Sequence, residues 1–253
     1  MKYVYTRTMH TILALVIVCI IMGCAHNAPP MLGDTDAYLN RGNAYHVKGQ
    51  YDQAIAEYTK IIEINPMEAM AYYNRGISYD EKGLHDKAIV DYTKAIELAP
   101  MDDRPYYNRG HSYLITGEYD KAILDFNKAI EIDPKSAWVY INRGVIYNEN
   151  GQYDQAIADF TKAIELNPMD VLAYQNRGVS YLKTGRYDKA IPDYNKAIEI
   201  DPTDALSYLN RGVVYYLIKD FDKALNDLTK AESLGLKVDA ELIRDIRESS
   251  NKE

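Results

Sequence analysis

The chain is poor in cysteine, tryptophan, phenylalanine and clustered positive charge. Its 253 residues hold two cysteines, one tryptophan and three phenylalanines. Both cysteines, Cys19 and Cys24, lie near the N-terminus, so the body of the chain has no disulfide and no cysteine metal site. Beyond residue 24 the histidines are His26, His46, His85 and His111, without metal-ligand spacing. A Gly-rich phosphate loop after a strand and a nucleophile elbow are both missing. These absences argue against an enzyme, a metal or any other cofactor. The net charge is −8 without a basic run, which excludes the cationic footprint of a nucleic-acid binder. It equally excludes docking on anionic lipid through a polybasic patch.

The N-terminus follows a separate logic. Lys2 and Arg7 precede an uncharged, mostly apolar run from Thr11 to Met22. That run is about 12 residues, short of the roughly 20 that a membrane span requires, and reads as a signal peptide. Its ending, Ile21-Met22-Gly23-Cys24, resembles the lipobox of bacterial lipoproteins. The resemblance implies removal of 1–23 and a lipid on the Cys24 thiol, leaving 24–34 as a flexible tether. An uncleaved anchor or an ordinary signal with a chance cysteine are the alternatives. In enterobacterial lipoproteins the lack of Asp after the cysteine, here Ala25, implies the outer membrane, facing the periplasm.

What the chain has in excess is tyrosine, 24 residues, and the reason is a repeat. The triplet Asn-Arg-Gly begins at Asn40, Asn74, Asn108, Asn142, Asn176 and Asn210, always at a spacing of 34. Pro66, Pro100, Pro134, Pro168 and Pro202 keep the same period. Within one copy, Tyr140, Arg143-Gly144 and Tyr147 share one face of a first helix, and Asn150-Gly151 breaks it. Asp154 opens a second helix on which Ala156, Phe160 and Ala163 share a face, and Pro168 ends it. Asp34, Asp102, Ser136, Asp170 and Asp204 can cap the first helices. Gly144 and Ala156, with their equivalents, allow close helix approach. A single hairpin cannot bury its own apolar face, so the copies must stack.

The pattern Tyr-x-x-Arg-Gly-x-x-Tyr, then Ala, an aromatic, Ala and Pro, resembles the tetratricopeptide repeat, in its Asn-Arg-Gly variety. The resemblance implies an all-α solenoid, a right-handed superhelix of six hairpins at 35–68, 69–102, 103–136, 137–170, 171–204 and 205–238. Residues 239–253 then form a capping helix and tail. Pro192 predicts a mild kink in the fifth second helix. Arg41, Arg75, Arg109, Arg143, Arg177 and Arg211 stand where the ordinary repeat has an aliphatic residue. An acid follows each at a constant spacing of 16: Glu57, Asp91, Asp125, Asp159, Asp193 and Asp227. The antiparallel hairpin predicts an ion pair within each repeat, since a partly buried Arg without a partner is costly.

In the family the first helices line a concave groove that binds peptides or protein segments. The inward Asn74, Asn108, Asn142 and Asn176 offer donors and acceptors to an extended backbone, or else bridge adjacent repeats. Inward positions that vary gather Tyr73, Arg104, Tyr107, His111 and Trp138 in the middle of the groove, with the aromatic and Arg character of interface hot spots. Trp138 either contacts a ligand or packs between helices. The last two repeats turn apolar at Leu172, Leu206, Leu209, Val213, Tyr216 and Leu217. Either the final helix covers them or they form a self-association surface. The expectation is a lipid-tethered scaffold for a protein or peptide partner, with homo-oligomerisation through repeats five and six as the alternative.

Overall fold

A computed structural model describes residues 35–250. The signal segment 1–23, Cys24, the tether with Asp34, and the tail beyond 250 lie outside the described residues. Thirteen helices and no strand occur among the described residues. They are α1 (Thr35–Val47), α2 (Tyr51–Ile64), α3 (Ala69–Glu81), α4 (His85–Leu98), α5 (Asp103–Ile115), α6 (Tyr119–Ile132), α7 (Ala137–Glu149), α8 (Tyr153–Leu166), α9 (Val171–Lys183), α10 (Tyr187–Ile200), α11 (Ala205–Leu217), α12 (Phe221–Ser233) and α13 (Ala240–Ser250). The first twelve pair as six antiparallel hairpins, each packed on the next, so the expected all-α repeat solenoid holds. The first helices of successive repeats also approach one another, α1 with α3 through to α9 with α11. The second helices pack chiefly against first helices. The first helices therefore form the inner wall of the stack.

The hairpin is tight because the first helix has no Cβ where the second helix places its largest side chain. A Cβ on Gly76 would lie 2.7 Å from the Tyr92 ring, and one on Gly144 would lie 2.7 Å from the Phe160 ring. The glycine thus makes room mainly for the aromatic ring. Tyr58, Tyr92, Phe126, Phe160, Tyr194 and Leu228 fill this slot in turn, all essentially buried.

Helix termini refine two sequence expectations. Asp102, Asp170 and Asp204 accept hydrogen bonds from Arg104 N, Ala173 N and Ser207 N and cap α5, α9 and α11. Ser136 makes no such bond. Asp154 does not cap α8: the helix begins one residue earlier, at Tyr153, which puts the carboxylate inside the first turn where it still meets the positive dipole end. The helix containing Pro192 runs without interruption from Tyr187 to Ile200.

The turn inside each hairpin needs a residue at positive φ. Gly49, Gly83, Gly117, Gly151 and Gly185 supply it, and in the sixth repeat Lys219 takes the same conformation at φ 64°. The helix α13 closes the stack. Its Ile246 and the preceding Val238 bury against Ala224, Leu228 and Ala231 of α12. No helix among the described residues is long and apolar enough to cross a membrane.

Candidate functional site

The arginines are held from two repeats at once. Arg75 forks onto Asp91 at 2.7 and 2.9 Å, and Arg109, Arg143, Arg177 and Arg211 do the same to Asp125, Asp159, Asp193 and Asp227. The remaining guanidinium nitrogen donates backward into the preceding repeat. Arg75, Arg109 and Arg177 reach the hydroxyls of Thr59, Thr93 and Thr161. Arg143 and Arg211 reach the amide oxygens of Asn127 and Asn195. The bound carboxylates of Asp193 and Asp227 hold Arg177 and Arg211 above the usual arginine range. Arg41, with no described repeat before it, contacts only Glu57 in this fashion and is 49% exposed against 17% for Arg75. These arginines are engaged in the scaffold.

On the inner wall the predicted residues fall into two linked clusters. Asn108 donates to the Tyr73 hydroxyl at 3.1 Å, and the Arg104 guanidinium lies 5.2 Å from the Tyr73 ring centre. Arg104 is also forked onto Asp102. One repeat on, Asn142 donates to the Tyr107 hydroxyl at 3.1 Å, and His111 stacks on the Tyr107 ring at 6.4 Å. Burial pushes both phenols up, so they stay protonated at neutral pH. Asn74 reaches Asn43 at 3.5 Å, and Asn176 turns onto its own helix, at Leu172 O. The amide row is therefore partly occupied between repeats, through its donors. Trp138 joins neither cluster. It stands 52% exposed on α7.

A cavity of about 350 Å³ opens between the second and third repeats, lined by Ile77, Asp80, Glu81, His85, Tyr92, Tyr107, Asn108, His111 and Ile115. Asp80 was not among the candidate residues, yet it organises this floor. It receives Tyr92 at 2.9 Å, Ser112 at 2.8 Å and His85 Nδ1 at 2.9 Å. A carboxylate acceptor requires the proton of His85 on Nδ1. Burial and the Asp80 carboxylate push the Tyr92 phenol far above its ordinary range, so it remains a donor. The signal in the sequence was the pairing of Asp80 with Ser112, at a spacing of 32, which a search at the repeat period passes over.

The C-terminal repeats keep an apolar inner surface. Leu209 and Tyr216 pack into the cluster beneath α13, whereas Leu172, Leu206 and Leu217 remain 46–50% exposed. The final helix covers only part of the set. Among the described residues no group of three His, Cys, Asp or Glu side chains is placed to hold a metal ion.

Comparison with known proteins agrees with this geometry. Models described as "Tetratricopeptide repeat" match residues 69–102, 137–170, 171–204 and 193–226, and one described as "TPR repeat" matches 42–83 and 110–151. No curated protein matches the chain. Among solved structures, MamA is 29% identical with a TM-score of 0.63, over 69% of this chain and 96% of that one. YrrB, described as a TPR protein with an unusual peptide-binding site, is 27% identical with a TM-score of 0.65, over 76% and 97%. The pilF protein of Pseudomonas aeruginosa shares the fold at 21% identity and a TM-score of 0.71, over 87% and 98%. The repeat models together span well over half of the sequence, and the chain belongs to the tetratricopeptide repeat family.

Proposed function

We propose that this protein is a non-enzymatic scaffold that binds a protein or peptide segment along the inner wall of its first helices. The observation that carries the reading is that wall itself. It runs unbroken through six repeats and presents the half-exposed Trp138, Leu172 and Leu206 at one equivalent position of three successive first helices, α7, α9 and α11. Large apolar groups left half in water favour a partner that removes them from it. The family and the likeness to YrrB support an interaction scaffold. The acidic chain without a basic run speaks for a protein partner over nucleic acid. Replacing Asn108, Asn142 and Trp138 together by Ala should weaken capture of the partner while helicity, read by circular dichroism, stays near that of the parent. Unchanged capture would remove the groove as the site.

The same reading includes a lipid tether at Cys24 in the cell envelope, on the outer membrane facing the periplasm. It rests on the lipobox-like ending and on Ala25. Cys24→Ser should move the protein from the membrane to the soluble fraction on fractionation. Retention in the membrane would exclude the tether. The exposed Leu172, Leu206 and Leu217 favour a second reading, self-association through repeats five and six. Sedimentation of the lipid-free chain separates the two: a stable oligomer dispersed by Leu206→Asp supports self-association, and a clean monomer opposes it.

A further inference from the structure

The cavity between repeats two and three has an uneven chemistry. Asp80, Glu81 and Asn108 all contribute to its lining, and no Lys or Arg does. Asn108 donates one of its two side-chain amide N–H groups to Tyr73, and its side-chain carbonyl oxygen accepts no hydrogen bond among the described residues. Asp80 is held in place by three donors from the scaffold. Glu81 is exposed at the rim, where it accepts from the Tyr51 hydroxyl at 3.3 Å. The faces of Tyr107 and His111 form an aromatic wall. Two carboxylates, one carbonyl and an aromatic wall amount to a hole rich in acceptors, with His85 already seated on Asp80 and no Lys or Arg in the lining.

The superhelix supplies its own control. A cavity of about 280 Å³ recurs two repeats on, lined by Val145, Asn148, Glu149, Tyr153, Asn176, Val179 and Lys183. Glu81 and Glu149 occupy equivalent positions, as do Asn108 and Asn176. The chemistry around them differs: Asp80 becomes Asn148, and Ile115 becomes Lys183. The second cavity thus has one carboxylate and a lysine in the same lining. The two cavities occupy equivalent places in the repeat, and of the two the first has more carboxylates and no Lys or Arg.

We propose that the cavity between repeats two and three takes a cationic side chain, lysine or arginine, from the extended partner segment. The inference rests on the groove reading above. A planar guanidinium or an ammonium donates to Glu81 and to the Asn108 carbonyl while its stem lies against Ile77, Ile115 and Tyr107. Asp80 adds field from below and is a positioning group, since three scaffold donors already use its oxygens.

The test is selection of a phage-displayed random nonapeptide library on the full chain, followed by titration of the enriched peptides by fluorescence anisotropy. Enriched peptides are expected to share a Lys or Arg. Changing that residue to Gln, or Glu81→Gln in the protein, should each weaken binding at least tenfold, about 1.4 kcal/mol. The two changes together should cost little more than either alone. Glu149→Gln should leave affinity within about threefold, or 0.6 kcal/mol. Glu81 is exposed, so Glu81→Gln is expected to fold, and circular dichroism checks it. Peptides that are lost on Trp138→Ala with Asn142→Ala but lack a shared cation, or ignore Glu81→Gln, overturn the cation subsite and leave the groove standing. Absence of any enrichment, or binding indifferent to all of these changes, overturns both.

Discussion

The hydroxyl of Tyr92 donates to the Asp80 carboxylate at 2.9 Å, linking the two helices of the second repeat. The same slot in the fifth repeat holds Tyr194, whose hydroxyl is buried and has no hydrogen-bond partner among the described residues. The reason lies opposite. Where Tyr92 meets Asp80 and Tyr58 meets Asn43, Tyr194 has Leu182 and Val179 at the equivalent positions. Phe126 and Phe160 avoid the problem by carrying no hydroxyl. An unsatisfied buried hydroxyl costs about 1–3 kcal/mol. Tyr194→Phe is therefore expected to raise stability by about 1 kcal/mol, and Tyr92→Phe to lower it by about 1 kcal/mol. Urea denaturation of both variants decides it, and a loss of stability in Tyr194→Phe would contradict the account.

Lys219 carries the second strained feature. It sits at φ 64° where five other repeats have glycine. The left-handed region costs a non-glycine residue about 1 kcal/mol. Lys219→Gly should stabilise the sixth repeat by about 0.5–1 kcal/mol, with part of the gain offset by glycine's greater freedom in the unfolded chain. The gain should appear as slower hydrogen exchange in α11 and α12. Faster exchange there would mean that the lysine side chain makes a contact worth more than the strain.

The arginine fork predicts asymmetry between partners. Asp159 is buried, and its removal strands the Arg143 guanidinium, which keeps Asn127 as its one hydrogen-bond acceptor among the described residues, with the Tyr140 and Tyr147 rings beside it. Asp159→Ala should cost about 3 kcal/mol. The double variant Arg143→Met with Asp159→Leu should recover most of that, because an apolar pair needs no compensation. Equal losses in the single and double variants would show that the pair itself, and not the stranded charge, carries the energy.

Acid should act first on the N-terminal repeat. Burial alone would raise the Glu57 carboxyl, but hydrogen bonds from Lys60 and Arg41 outweigh it and hold the group below its ordinary 4.5. A carboxyl lowered in the folded state gives stability that is complete above its unfolded value and is lost as the pH falls through the folded one. Thermal stability should therefore decline below about pH 4.5, and Glu57→Gln should flatten that part of the profile. An identical profile in the variant would move the acid sensitivity elsewhere.

The sequence made the scaffold legible because the scaffold repeats. Tyr, Arg-Gly, Ala and Pro recur with one period, and each Arg has its acid at one fixed offset within the repeat. The backward bond was equally periodic, since Thr59, Thr93, Asn127, Thr161 and Asn195 each precede an arginine by that same offset, but it crosses a repeat boundary. The amide row could not be resolved from sequence: an asparagine constant in every copy fits a ligand contact or a bridge. Its partners differ from copy to copy, and the tyrosines that receive Asn108 and Asn142, Tyr73 and Tyr107, are present in only two repeats. Trp138 stood out as the one tryptophan, yet nothing in the sequence told whether its ring meets water or a neighbouring helix.

The deepest layer of specificity lies just short of the repeat period, in pairs that join one first helix to the next. His46 faces Ser78 at 3.0 Å, Ser112 donates to Asp80, and Ser180 donates to Asn148 at 2.7 Å. The other two boundaries place Leu114 with Ile146 and Leu182 with Val214 in apolar clusters. Polar meets polar and apolar meets apolar at all five boundaries between repeats. A mismatched boundary would bury an unpaired polar group, at a cost of about 1–3 kcal/mol. This matching gives the order of the repeats a physical basis that the shared scaffold cannot. Transplanting the Asn148–Ser180 pair into the third boundary tests it. Leu114→Asn and Ile146→Ser should each destabilise by about 2–3 kcal/mol. The double variant should be about 1 kcal/mol more stable than the sum of the two predicts, because the new side chains satisfy one another. Additivity within about 0.3–0.5 kcal/mol would show that the boundaries do not read each other.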